Sequence, residues 1–119
     1  MTKLCLAFAA LLATQSVPVH AQAFLLGADP AVGASVKAAP KQLRLNFSEG
    51  VELLFSGVEV TDGAGRGIPA RDLRALPGDA AVLLLDMPPL AAGTYRVHWH
   101  VVSVDTHMTE GDFSFTIRP

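Results

Sequence analysis

The chain has 119 residues, of which 50% are hydrophobic and 17% charged, and it carries a formal net charge of −2 at pH 7. That length suffices for one domain with a core of its own. The composition argues against a nucleic-acid partner, because phosphate neutralisation needs clustered Lys and Arg and the chain has no basic run.

The first 21 residues have the pattern of a secretory signal peptide. Lys3 precedes an apolar segment, residues 4–13, and a polar stretch that ends in small residues. The small-residue rule allows cleavage after residue 21, which would expose Gln22, or after residue 23. The apolar segment is shorter than the roughly 20 residues that span a bilayer, so an uncleaved anchor is the less favoured alternative. We expect an exported, soluble domain over residues 22–119.

Loss of such a signal would remove the only cysteine, Cys5, and one cation, Lys3. The exported domain would then have neither a disulfide nor a thiolate ligand, so its stability must come from its core. Eight basic residues would remain against eleven acidic ones, which gives a formal charge of −3.

The rest of the chain predicts short β-strands separated by turns. Strand patterns occupy residues 42–47, 58–60, 80–85, 94–103 and 113–117. Leu43, Leu45 and Phe47 alternate with polar residues, as on a strand with one buried face, while residues 80–85 form the continuous apolar run of a fully buried strand. Pro and Gly punctuate the intervals and exclude long helices. We expect an all-β fold, either a two-sheet sandwich or a small Greek-key barrel, with about seven strands.

The segment from Trp99 to Gly111 carries the main candidate site. Strand-type valines lead into a polar turn that contains Asp105 and His107, separated by one small residue. A carboxylate oxygen and a neutral imidazole nitrogen at this spacing can bind one divalent ion, and imidazole favours the copper end of the affinity series. The same triplet also fits a capped turn with a solvated histidine, and the pair alone does not decide between these interpretations.

Several separate motifs resemble the CopC family of periplasmic copper-binding proteins, especially its YobA-type branch. In chain order they are Asp29–Ala34, Ala39–Lys41, the sequence NFSEGVE at 46–52, FSGV at 55–58, GTYRV at 93–97 and WHVVSVDTH at 99–107. The resemblance covers essentially all of residues 22–119. It implies a cupredoxin-like, immunoglobulin-like Greek-key β-sandwich that acts as a monomer in the periplasm. The implied function is to carry one copper(II) ion or to deliver it to an inner-membrane partner of the CopD type.

The resemblance also implies the copper ligands. Asp105 and His107 match the family's D-x-H motif, while the remaining ligands come from an N-terminal histidine that donates its α-amine and its ring. Gln22 stands at that place here, and its α-amine is lost as a ligand if the glutamine cyclises to a pyroglutamyl group. Loss of one good ligand costs about a few kcal/mol, on the scale of the roughly 10–16 kcal/mol of a four-ligand zinc site. We expect a weakened or re-formed copper(II) site, and complete loss of copper binding is the alternative.

Two further histidines lie on the predicted strand at 94–103. His98 and His100 are alternate residues about 6.5 Å apart on one strand face, where paired imidazoles can hold a transition ion or can simply be solvated. His100 lies within the sequence that matches the YobA-type branch. For His100 the resemblance implies a position outside the ligand set, from which a hydrogen bond would orient a ligand.

No enzyme pattern accompanies these residues. A histidine-brace oxidase would need the N-terminal histidine that Gln22 replaces, and no serine lies in a nucleophile-elbow sequence. Met87 and Met108 are too few thioethers for a full copper(I) site. We interpret Met87 as a packing residue, Met108 as a cover for the turn that could alternatively lend a thioether, and Trp99 as a core anchor. The alternative to a copper carrier is a metal-free β-sandwich that docks onto a membrane or periplasmic partner.

Overall fold

The computed structural model describes residues 22–119, and the expected signal peptide at residues 1–21 lies outside this range. In this range the strands are β1 Leu25–Asp29, β2 Ser35–Val36, β3 Gln42–Phe47, β4 Gly57–Thr61, β5 Arg71–Leu76, β6 Asp79–Asp86, β7 Gly93–Val102 and β8 Met108–Ile117. A short 3-10 turn, Leu53–Phe55, lies between β3 and β4. Within residues 22–119, no helix is long and apolar enough to cross a membrane.

The strands form two four-stranded sheets, with the orders β1-β3-β6-β5 and β2-β8-β7-β4. Neighbouring strands are antiparallel except β2 and β8, which are parallel. Four of the five segments with a predicted strand pattern lie wholly within a strand, and the fifth, residues 94–103, extends one residue beyond the end of β7. The expected all-β sandwich is therefore confirmed, with eight strands over the described residues instead of about seven.

The strands β1, β2 and β5 show no clear pattern in the sequence. The pairing of β1 shifts between Leu25 and Gly27, β2 has only two residues, and β5 contains two register shifts and a positive φ of 56° at Asp72. A register shift moves the following side chains to the other face of the sheet. Because the alternation of apolar and polar residues is interrupted, these strands are not found by inspection of the sequence.

The two sheets enclose one hydrophobic core. The alternation in β3 places Leu43, Leu45 and Phe47 in this core, each at most 3% exposed. Trp99 of the other sheet packs edge-on against Phe47, with ring centroids 5.2 Å apart and an interplanar angle of 72°, which confirms its role as an anchor between the sheets. Met87 is also buried in the core, as expected. Burial of each such side chain contributes about 1.5–3 kcal/mol, so the core carries the fold without a disulfide.

Gly111 of β8 faces Trp99 across the β7–β8 pair. A Cβ atom at Gly111 would lie 2.6 Å from Cζ2 and 2.9 Å from Cε2 of the indole, closer than van der Waals contact allows. We expect G111A to lower the free energy of unfolding by about 1–3 kcal/mol, because the added methyl group displaces the indole from Phe47. Urea denaturation would measure the loss. The control is G67A, where a Cβ atom meets nothing within 4 Å, and equal urea midpoints for the two variants would contradict the prediction.

Candidate metal centre

The connection between β7 and β8 is a tight turn over residues 103–107. The Ser103 N–H donates to the His107 carbonyl at 2.8 Å, and the Thr106 N–H donates to the Ser103 carbonyl at 2.8 Å. Thr106 itself has a φ of 71°, in the left-handed region. The turn joins the ten-residue strands β7 and β8, so the pairing of these strands sets the position of Asp105 and His107 at the end of the sheet.

Ser103 fixes this turn from inside the protein. It is 0% exposed, the one buried polar side chain among residues 22–119. Its hydroxyl donates to Asp105 Oδ1 at 2.6 Å and accepts from the His107 backbone N–H at 3.1 Å. One buried hydroxyl thus positions both predicted ligands. Strand periodicity does not indicate this role of Ser103, and the signal for it in the sequence is a hydroxyl residue two positions before the aspartate.

The side chains of Asp105 and His107 come together beside this turn. His107 Nδ1 lies 3.6 Å from Asp105 Oδ1, and the two side chains are 38% and 45% exposed. The hydrogen bond from Ser103, followed by the one from His107, lowers the pKa of the Asp105 carboxyl below its usual value, which keeps it an anion. Two donors bound to one ion at about 2 Å each lie about 3 Å apart, so a small side-chain adjustment would bring both onto a metal.

The segment that contains Gln22 lies at the same end of the sandwich. Ala23 is fully buried, and its carbonyl accepts a hydrogen bond from the Thr109 hydroxyl at 2.7 Å. The Ser48 hydroxyl donates to the Gln22 carbonyl at 3.2 Å and accepts from the Phe24 N–H at 2.8 Å. Since Thr109 follows His107 by two residues, these contacts hold residue 22 near the 103–107 turn. Coordination by the Gln22 α-amine stays a prediction.

His100 projects from the outer face of the β2-β8-β7-β4 sheet. Its register partner in β4 is Gly57, and a Cβ atom at Gly57 would lie 2.8 Å from His100 Nε2. The neighbouring ring of His98 has its centroid 6.5 Å away, at the spacing expected from the strand. Glu59 lies on the same face and brings a carboxylate oxygen within 4.8 Å of both histidines. The expected role of His100 in orienting Asp105 or His107 stays a prediction.

Removal of the Ser103 hydroxyl should affect both stability and the titration of Asp105. In S103A the Asp105 carboxylate loses a donor and the His107 N–H loses its acceptor at a buried position, which should cost about 1–3 kcal/mol of unfolding free energy. The pKa of the Asp105 carboxyl should rise toward its usual value, because the Ser103 hydrogen bond is the largest cause of its depression. Urea denaturation and an NMR titration of the Asp105 carboxyl carbon would measure the two effects. A half-buried serine of β8 supplies the control S114A, and an unchanged Asp105 titration in S103A would contradict the prediction.

Comparison with known proteins assigns a family to this arrangement. The family model of the CopC domain matches residues 25–118. Protein YobA of Escherichia coli strain K12 is 42% identical over 108 residues, which cover 90% of this chain and 86% of YobA. Copper resistance protein C of Escherichia coli is 36% identical over 91 residues, which cover 71% of this chain and 72% of that protein.

The fold agrees with the sequence comparison. The crystal structure of CopC from Methylosinus trichosporium OB3b is similar with a TM-score of 0.78 and 35% identity, and the match covers 82% of this chain and 95% of that one. The match of the family model, residues 25–118, spans strands of both sheets and includes the turn that carries Asp105 and His107. The chain therefore belongs to the CopC family, as its motifs predicted.

Proposed function

We propose that the domain binds one copper(II) ion through Asp105 and His107 and acts as a periplasmic copper carrier in copper homeostasis and resistance. The observation that carries this proposal is the pairing of a carboxylate and an imidazole 3.6 Å apart on a turn held by Ser103. Copper resistance protein C, which the chain resembles, is named for copper. Imidazole and carboxylate together suit the divalent ions of the copper and zinc class.

The copper site is expected to be weaker than one completed by an N-terminal histidine. Gln22 would supply an α-amine as the third donor, without an imidazole ring. The contacts of Ala23 with Thr109 and of Gln22 with Ser48 support this position for the amine, because they hold the segment against the strand that follows His107. If the glutamine has cyclised, Asp105 and His107 are left as the two protein donors.

A carrier must also meet the protein that receives its ion, and we propose a CopD-type membrane transporter as that partner. Apolar side chains are exposed beside the 103–107 turn: Leu54 is 91% exposed, Phe55 65% and Val104 57%. The backbone brings these residues together, since the Glu52 N–H donates to the Val102 carbonyl at 2.7 Å. An exposed apolar patch commonly marks an interaction surface, and it would let the partner approach the metal ligands directly.

The same apolar patch favours the second candidate function, a metal-free docking module. Addition of Cu(II) to purified protein that begins at residue 22 separates the two. A visible d–d absorption and a paramagnetic signal from a saturable site that the variant H107A removes support the carrier. Binding no stronger than that of an unfolded peptide of the same composition would contradict the carrier and favour the docking module, while peroxide- or oxygen-dependent turnover would instead indicate an oxidase.

A further inference from the structure

A second group of metal-binding side chains lies on the outer face of the β2-β8-β7-β4 sheet. Glu59, His98 and His100 each offer one ligand atom, and these atoms all lie within 4.8 Å of one another. The register of β4 and β7 explains the grouping, because Glu59 pairs with His98 and Gly57 pairs with His100. Alternate residues of a strand share one face, so both histidines and the carboxylate project to the same side.

The ring of His98 is oriented by a carboxylate behind it. His98 Nδ1 lies 2.8 Å from Asp112 Oδ1, and Asp112 is in turn held by Arg96 through Nη2 at 3.1 Å and Nε at 3.2 Å. Because Asp112 forms this ion pair with Arg96, its carboxylate is an acceptor for a proton on His98 Nδ1. A carboxylate that accepts from one ring nitrogen of a histidine directs the lone pair of the other toward a metal.

The other ring nitrogen of His98 faces a second carboxylate. Glu110 Oε1 lies 3.3 Å from His98 Nε2. A proton on Nε2 would be donated to this carboxylate, and a divalent cation bound to Nε2 can take the place of that proton with Glu110 as a second donor. The His98 side chain is 35% exposed and that of Glu110 is 66% exposed, so an ion from solvent can reach the space between them.

Gly57 makes room for the second imidazole. A side chain at position 57 would collide with the His100 ring, since a Cβ atom there would approach Nε2 to 2.8 Å. The absence of that side chain lets the ring lie over β4, close to Glu59. The two imidazoles are thereby held with centroids 6.5 Å apart and ring planes 36° from parallel.

We infer that Glu59, His98 and His100 form a second metal site, with Glu110 as a further oxygen donor and Asp112 as the residue that positions His98. Two imidazoles and a carboxylate suit divalent ions of the copper and zinc class, whereas Ca²⁺ and Mg²⁺ prefer oxygen ligands alone. This assignment makes His100 a ligand of the second site in place of the predicted role in orienting Asp105 or His107, so the second site does not depend on the copper site proposed for them. Each chain would then bind two ions, one at the 103–107 turn and one on the sheet face.

The stoichiometry of Cu(II) binding tests the inference. The protein that begins at residue 22 is titrated with Cu(II) in competition with a weak chelator, and two equivalents are expected. The double variant H98A/H100A should bind one equivalent, with unchanged circular dichroism because both rings lie on the outer face. The variant H107A should also retain one equivalent, and the ion that it retains should be the one sensitive to changes at Glu59 and Asp112.

Conservative variants distinguish a loss of metal binding from a loss of folded structure. E59Q and D112N should each weaken the second site, D112N by about 10–100-fold as is typical of a residue that orients a ligand. The control D86N removes a carboxylate from the other sheet, where Asp86 pairs with Arg74, and should leave both sites unchanged. In the wild type, with Zn(II) as a diamagnetic probe, NMR of the imidazole nitrogens should show the metal bound to Nε2 of His98. In D112N without metal, the same measurement should show a mixture of the two His98 tautomers.

Each outcome has a defined meaning. A single equivalent that is lost in H107A and retained in H98A/H100A would overturn the second site while supporting the proposed carrier. A single equivalent lost in H98A/H100A and retained in H107A would support the second site and contradict the carrier. If Zn(II) leaves the imidazole nitrogens of His98 and His100 unshifted, or if E59Q and D86N bind alike, the inference is wrong.

Discussion

H107A is expected to abolish specific Cu(II) binding at the 103–107 turn while the fold stays intact. The imidazole is the only nitrogen donor that the turn itself offers, and the Asp105 carboxylate alone does not select copper. The side chain of His107 is 38% exposed, so its removal should change the free energy of unfolding by no more than about 0.5 kcal/mol. Competition titration in an H98A/H100A background would isolate this site from the outer face of the sheet.

The aspartate should behave differently from the histidine in one respect. D105A should also abolish specific binding, but it leaves the buried Ser103 hydroxyl without its acceptor, which should cost about 1 kcal/mol of stability. V104A is the control for both variants, because Val104 is an exposed neighbour in the same turn and offers no ligand. Retention of full affinity by either D105A or H107A would mean that the D-x-H pair is not the copper site.

Q22H is expected to strengthen copper binding by roughly 10–100-fold, equivalent to about 1.4–2.8 kcal/mol. A histidine at the N-terminus adds an imidazole that closes a chelate ring with the α-amine, and it cannot cyclise as glutamine does. Little ordering is needed, because residues 22 and 23 are already held by Ser48 and Thr109. The gain in affinity should therefore reflect the added ring nitrogen rather than a change in fold.

A chelator competition with three proteins would test this expectation. Wild type, Q22H and Q22A are each prepared with residue 22 as the first residue, and mass spectrometry verifies a free amine. Q22A keeps the amine, has no ring and cannot cyclise, so it separates the contribution of the amine from that of the imidazole. Equal affinities for Q22H and Q22A would show that the added imidazole does not reach the copper ion and would contradict the prediction.

Much of the fold follows from local patterns. The strict alternation in β3 and the apolar run in β6 predicted strands because neighbouring residues of a strand point to opposite faces. The same reasoning fails for β1 and β5, where shifts in pairing break the alternation, and for β2, which is too short to show any. These strands exist because of their partners: Ser35 and Val36, for example, pair in parallel with Thr116 and Ile117, a relationship that no local pattern contains.

The candidate site at the 103–107 turn also has one part that the sequence predicts and one that it does not. Asp105 and His107 are two residues apart, so their approach could be predicted from the sequence. The role of Ser103 depends on its full burial, which only the packing of the two sheets determines.

The group of Glu59, His98 and His100 could be predicted less fully from the sequence. The sequence placed His98 and His100 on one strand face. The register between β4, β7 and β8 brings Gly57, Glu59 and Asp112 next to these histidines. In the sequence these three residues lie 14 to 43 positions away from the histidine that each one contacts or pairs with. Spacing along one strand is set by covalent geometry, whereas pairing between strands is set by which apolar faces must be buried together. The sequence alone thus predicted the two candidate ligands of the turn, and the packing of the sheets decided what surrounds them.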